Sequence, residues 1–130
     1  MFLTPDGDIL VNEVAPRPHN SGHHTIDACI TSQYEQLILA ISNKPLGSTK
    51  MTSPGIMLNL LGEPDQKGPA YYEGLDECLA IEGVKVHIYG KAMTKPYRKM
   101  GHVTIIDQDI KQLEEKARIV QEKLKVISKA

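Results

Sequence analysis

Asn12-Glu13-Val14-Ala15-Pro16-Arg17-Pro18-His19-Asn20-Ser21-Gly22-His23 is the stretch on which the reading of this chain turns. Two prolines and a glycine make it a loop, and its remaining members are polar or charged. Phe2-Leu3-Thr4 and Ile9-Leu10-Val11 lie just before it and flank Pro5-Asp6-Gly7-Asp8. Proline presets one turn dihedral and glycine accepts positive φ, so this pattern predicts a β-hairpin. Its second strand should deliver Asn12 and Glu13 at its C-terminal end. After the loop, Ile26, Ile30, Tyr34, Leu37, Ile38 and Ile41 recur at helical spacing. A helix is therefore expected from near Thr25, stopped by Asn43-Lys44-Pro45.

Pro45 to Pro54 reads as a linker, and the composition shift there marks a domain boundary. Ile56 to Leu61 is expected to be a strand stopped by Gly62, and Glu63 to Gly68 a polar loop. A short helix is expected over Glu73 to Ala80. Val84-Lys85-Val86-His87-Ile88-Tyr89 alternates as a strand does, and Gly101 to Ile106 should pair with it. Gly90 to Met100 between them is a basic loop. Ile110, Leu113, Ala117, Val120, Leu124 and Ile127 predict a terminal helix, with Asp107 or Asp109 as its cap and lysines in its last turn. The fold class expected is α+β. A hairpin beginning at the first residue is marginal alone, so a preceding sheet is expected to be missing. The edge left unpaired would favour self-association, such as a homodimer.

Composition narrows the function classes. With no Trp and one Phe, the core must be aliphatic. A net charge of −1 provides no overall field for nucleic acid or a membrane surface. No apolar run approaches the roughly 20 residues of a membrane helix. The N-terminus goes at once into Thr4-Pro5-Asp6-Gly7, so no signal peptide is expected. Cys29 and Cys78 have neither CxxC nor zinc spacing, and are expected to be reduced thiols of a cytoplasmic protein.

Two constellations bear chemistry. Asn12 and Glu13 put an amide and a carboxylate side by side where the chain leaves a sheet. Hard Mg²⁺ takes one or two carboxylates plus substrate phosphates, so a site with few protein ligands suits a nucleotide. Arg17, His19, Asn20 and His23 add a forked cation, two imidazoles and an amide, a set suited to an anionic substrate. A polar surface loop is the plainer reading of the same residues, and residue types alone leave both open. The second constellation is Lys91, Lys95, Arg98 and Lys99, closed by His102. It is either a phosphate cradle or a solvated hairpin tip. Only Tyr89 and Tyr97 lie near it, too few for a nucleic-acid stacking platform.

The loop Asn12 to His23, as written above, closely resembles the 5-(carboxyamino)imidazole ribonucleotide synthetase family, the ATPase subunits of phosphoribosylaminoimidazole carboxylase. The resemblance continues through Thr31-Ser32-Gln33-Tyr34-Glu35-Gln36, Leu46-Gly47-Ser48-Thr49, Met57-Leu58-Asn59-Leu60-Leu61-Gly62 and Tyr89-Gly90-Lys91. It ends with Arg98-Lys99-Met100-Gly101-His102-Val103-Thr104, covering Phe2 to about Ile106. It implies an ATP-grasp architecture: residues 1–43 as the last hairpin and helix of the ATP-grasp core, and residues 44–130 as a small C-terminal β-sheet domain with a packed terminal helix. It implies ATP-dependent carboxylation of aminoimidazole ribonucleotide by bicarbonate, through carboxyphosphate, with Mg²⁺ on the nucleotide phosphates. On this resemblance Glu13 and Asn12 are placed at the metal and nucleotide. Arg17, His19 and Asn20 face the reacting centre, and Lys91, Arg98 and Lys99 hold the substrate's ribose phosphate.

The family's nucleotide-binding lysines and first metal-binding Glu would lie before Met1. The 130-residue chain is accordingly expected to have no ligase activity alone. Two other readings compete. One is another ATP-grasp carboxylase or ligase, such as a biotin carboxylase relative or the formate-dependent ribonucleotide transformylase. The other is a non-catalytic phosphate- or nucleotide-binding module.

Overall fold

A computed structural model describes residues 1–129. The chain opens with the expected hairpin: β1 (Phe2–Leu3) pairs antiparallel with β2 (Ile9–Leu10), Phe2 opposite Leu10. Strand β2 stops at Leu10, so Asn12 and Glu13 lie beyond the sheet in irregular, exposed chain, not at its last rung.

The expected long helix is broken in two. Helix α1 spans Thr25–Ala28 and α2 spans Gln33–Ile41. Between them Cys29 is extended, at φ −128° and ψ 159°. Its neighbours hydrogen-bond the linker: Ile30 N–H to Lys50 O, and Thr52 N–H to Ala28 O. A capping box then restarts the helix. Ser32 accepts from the Glu35 N–H at 3.2 Å, and the Glu35 carboxylate accepts from the Ser32 N–H at 2.7 Å. The cap's hydrogen bonds and the linker pairing outweigh a continuous apolar stripe.

The rest is a sheet domain. Strands β3 (Gly55–Leu61), β4 (Gly68–Glu73), β5 (Val84–Ile88), β6 (Met93–Thr94), β7 (Lys99–Ile106) and β8 (Lys125–Ser128) accompany α3 (Leu75–Leu79) and α4 (Ile110–Lys123). They form two three-stranded antiparallel sheets, ordered β3-β7-β5 and β6-β4-β8. The pairing of β5 with β7 is as expected, and it sets His87 opposite His102. The expected linker has no helix or strand of its own, only the Cys29–Met51 bridge.

The terminal helix is shorter than its apolar spacing implies. Asp109 caps α4, accepting from the Lys111 and Gln112 N–H groups. At Leu124 the backbone turns extended, and Lys125–Ser128 becomes β8, paired with Ala70–Glu73 of β4. Leu124 and Val126 are buried two residues apart, so the period there is that of a strand. Strand β4 itself falls in Gly68-Pro69-Ala70-Tyr71-Tyr72-Glu73, where proline hides the strand signal in the sequence. It is tolerated at Pro69, near the strand's start.

The core comprises Leu60, Cys78, Val84, Met100, Val103, Ile105, Leu113, Ala117, Val120, Leu124 and Val126, aliphatic and sulfur side chains throughout. All of it lies after residue 54. Helix α1 rests on β7 from outside this core, which brings the loop before it over the His87–His102 pair.

Candidate active site

The loop is shaped first by its prolines. Pro16 and Pro18 fix their own φ and push Ala15 and Arg17 toward extended backbone. His19 is extended, at φ −127° and ψ 155°, and opens the single 3-10 turn Asn20–Gly22. Its Nδ1 lies 3.0 Å from Ser21 Oγ and accepts from the Ser21 N–H. The peptide of His19 is held by the Gln33 side chain: Oε1 accepts from His19 N–H and Nε2 donates to His19 O, both at 2.8 Å.

Beneath the loop is a column of rings. His87 stacks on His102 with centroids 4.4 Å apart and planes 9° apart, and His102 on His23 at 4.8 Å and 29°. Tyr34 continues the column at 5.9 Å from His23. Such separations are those of favourable offset ring pairs. Asp27 of α1 closes the other end, with its Oδ2 2.8 Å from His87 Nε2. The Tyr89 hydroxyl lies 3.0 Å from His102 Nδ1, while His102 Nε2 is buried without a partner. Strands β5 and β7 are close here: a Cβ on Gly101 would strike the His87 carbonyl.

The electrostatics follow from this crowding. His102 is 3% exposed. Burial pushes its pKa down to about 4, helped by His87 and His23 and opposed by Asp27. His23 is lowered by burial first, then by Lys99, His19 and His87. Burial, with Tyr34 nearby, raises the Tyr89 phenol. Within this stacked floor, His102 and His23 are thus both biased toward the neutral ring.

On that floor sits a pocket of about 300 Å³, lined by Arg17, His19 and Asn20 from the loop, Tyr34 and Tyr89 from the sides, and Lys99 from β7, with Pro18 and His23. Four of the expected residues therefore meet: Arg17, His19, Asn20 and Lys99. Lys91 stands beside them, its Nζ 5.8 Å from the Tyr89 ring centroid and donating to Lys99 O. Arg98 is not brought in. Its guanidinium donates to Met93 O at 2.9 Å and lines none of the pocket. Asn12 and Glu13 line it no more than Arg98 does. A larger groove of about 640 Å³ shares Arg17 and Pro18 but is walled mainly by apolar groups such as Leu37, Ala40 and Leu46. It lacks a carboxylate.

Sequence reasoning placed His23 with the loop and His102 and Tyr89 with the basic cluster, and did not bring them together with Tyr34 and His87. The pairing of β5 with β7 carries part of that signal, because it sets His87 opposite His102. Nothing in the sequence places His23 on top of them.

Comparison with known proteins bears on both halves. Residues 55–116 match the family model of the phosphoribosylaminoimidazole carboxylase C-terminal domain, and residues 1–34 match that of the ATP-grasp domain. The N5-carboxyaminoimidazole ribonucleotide synthase of Bacillus subtilis is 52% identical over 108 residues, covering 83% of this chain and 27% of that protein. The crystal structure of the Thermotoga maritima N5-carboxyaminoimidazole ribonucleotide synthetase superposes with a TM-score of 0.96 at 58% identity, over 99% of this chain and 36% of that one. The Aspergillus clavatus enzyme, solved with ADP and 5-aminoimidazole ribonucleotide, gives 0.81 at 32% identity, over 94% of this chain and 33% of its own. The chain thus spans about a quarter to a third of the length of these relatives. Matches of this strength, in order along both regions, mean that the chain belongs to the N5-carboxyaminoimidazole ribonucleotide synthetase family of ATP-grasp proteins and corresponds to its C-terminal portion.

Proposed function

We propose that this chain is the part of an ATP-dependent carbon–nitrogen ligase that holds aminoimidazole ribonucleotide while bicarbonate carboxylates its amine. The supporting observation is the 300 Å³ pocket in which Arg17, His19 and Asn20 meet Lys99 between two tyrosines. Two cations suit a ribose phosphate, and the tyrosine rings suit a flat imidazole. In the reaction, bicarbonate oxygen attacks the γ-phosphorus of ATP, giving carboxyphosphate and ADP. The substrate amine then attacks the carboxyl carbon, phosphate leaves, and the amine loses a proton. Exclusion of water from the reacting centre would protect carboxyphosphate.

Glu13 and Asn12 are the oxygen donors that would face Mg²⁺ and the nucleotide. Among the described residues no three His, Cys, Asp or Glu converge as a metal site. The chain would thus contribute only part of the ligand set, which fits a cation bound largely through phosphates. When bound, Mg²⁺ neutralises charge on the phosphate oxygens. The same reading takes residues 1–43 as ATP-grasp and 44–130 as the small domain. It extends to a cytoplasmic setting, in keeping with the free thiols of Cys29 and Cys78, and to self-association through the exposed β1–β2 edge.

The test is titration of the chain with 5-aminoimidazole ribonucleotide, followed by NMR. Saturable shifts are expected at Arg17, His19, Asn20 and Lys99. Affinity should fall roughly tenfold in Arg17→Ala and in Lys99→Ala, about 1.4 kcal/mol each. Arg98→Ala should change it less than about twofold, well under 1 kcal/mol. Shifts elsewhere, or none, defeat the reading. The chain alone should not hydrolyse ATP in a bicarbonate- and substrate-dependent manner.

A further inference from the structure

The pocket's loop is irregular, yet its central peptide is held as firmly as one in a sheet. A carboxamide has one acceptor oxygen and two donor hydrogens directed to separate partners. Gln33 uses them all. Its Oε1 takes the His19 N–H, while Nε2 gives one hydrogen to His19 O and the other to His23 Nδ1, each at 2.8 Å. The Gln33 backbone is anchored too. Its N–H donates to Thr25 Oγ1 at 2.9 Å, and that hydroxyl donates to Gly22 O. Gly22 leaves room for the arrangement, since a Cβ there would meet the Gln33 carboxamide. Gln33 is absent from the lining of the 300 Å³ pocket, whereas Arg17, His19 and Asn20 on either side of the held peptide all line it.

We propose that Gln33 is a positioning residue of this site, its carboxamide clamping the His19 peptide so that Arg17 and Asn20 face the pocket, and tying that peptide to the stacked ring of His23. The proposal rests on the reading of this pocket as the ligand site. It requires His23 Nδ1 to be an acceptor, hence a neutral ring with its proton on Nε2. Burial favours that state, as do Lys99 on β7, His19 on the same loop and His87 on β5; Tyr34 on α2, Tyr89 just after β5 and His102 on β7 are the other rings facing it. Asp27 is the nearby carboxylate, and it is engaged with His87.

The decisive variant is Gln33→Glu, which keeps the shape but replaces the donor to His23 by an acceptor. In the 130-residue chain, NMR titration of the histidine rings should show the His23 midpoint raised by about one unit or more. The His19 amide should shift and exchange faster. Gln33→Ala should speed the same exchange without raising His23. Both should weaken binding of ribose 5-phosphate about tenfold, although neither alters a residue lining the pocket. A Gln33→Glu chain with an unmoved His23 midpoint and an unchanged His19 amide overturns the proposal, as does tight binding in Gln33→Ala. If the unaltered chain binds neither ribose 5-phosphate nor the full ribonucleotide, the ligand reading fails. The ring and amide measurements still decide for or against the clamp.

Discussion

Residues 1–54 and 55–129 have opposite constructions. The later region holds every member of the aliphatic core, while the earlier one buries only Ala28 and Ser32. Fourteen of the 22 exposed large hydrophobic residues belong to the earlier region, among them Phe2, Leu10, Ile38 and Leu46. What keeps it in place is mainly hydrogen bonding and ring stacking: the Ser32–Glu35 box and the Gln33 contacts within it, and the Asp27–His87 contact and the ring column across to the later region. One region is stabilised by burial, the other by being fastened to it. The pocket lies at the seam, with Arg17 supplied by one side and Lys99 by the other.

The sharpest break would come from the core. Ile105 is fully buried on β7, so Ile105→Ala should cost about 4 kcal/mol, read from urea denaturation. Loss of the loop's order should accompany it, because the loop has no core of its own. Survival of the earlier region's amide protection after unfolding of the later one would reverse the comparison.

Acid should act on the seam. The unfolded chain protonates His102 near its ordinary 6.5, and the folded chain only near 4. The contribution of the neutral ring is therefore complete above about pH 6.5 and lost as pH falls toward 4, by up to roughly 3 kcal/mol. Denaturation curves across that window check it. His102→Gln should flatten the dependence.

Asp27→Asn is expected to cost about 1 kcal/mol, since the pair is only partly buried. Hydrogen exchange should then speed at Ile30 and Thr52, whose N–H groups tie the α1–α2 junction to the linker. The smallest effect belongs to the exposed apolar face. Ile38 is 59% exposed, and Ile38→Ala should change chain stability by less than about 0.5 kcal/mol. A larger loss would mean that this face is covered in solution.

Signals confined to a few neighbouring residues were legible in the sequence. Pro5-Asp6-Gly7 predicts the hairpin, alternation predicts β5, and Asp109 caps α4 as expected. What tertiary pairing decides was not legible. The helical spacing of Leu124 and Ile127 gives way to β8 because β4 offers them a strand partner. The break after α1 follows from a pairing with residues about 20 positions away. At the site, the loop and Lys99, distant in sequence, line one pocket. Arg98 differs because the Met93 carbonyl captures its guanidinium, a contact set by β6, which no local pattern reveals.

Gln36 does at Gly47 what Gln33 does at His19. Its Oε1 takes the Gly47 N–H at 3.1 Å and its Nε2 donates to Gly47 O at 2.7 Å. Each carboxamide is in effect one rung of a β-ladder supplied by a side chain. The two rungs stand three residues apart on the first turns of α2, about 4.5 Å along its axis. The helix therefore works as a yoke. A tilt or slide of α2 would carry the His19 segment and the Gly47 segment together, and the pocket's loop would take its alignment from a helix that contributes only Tyr34 to its walls.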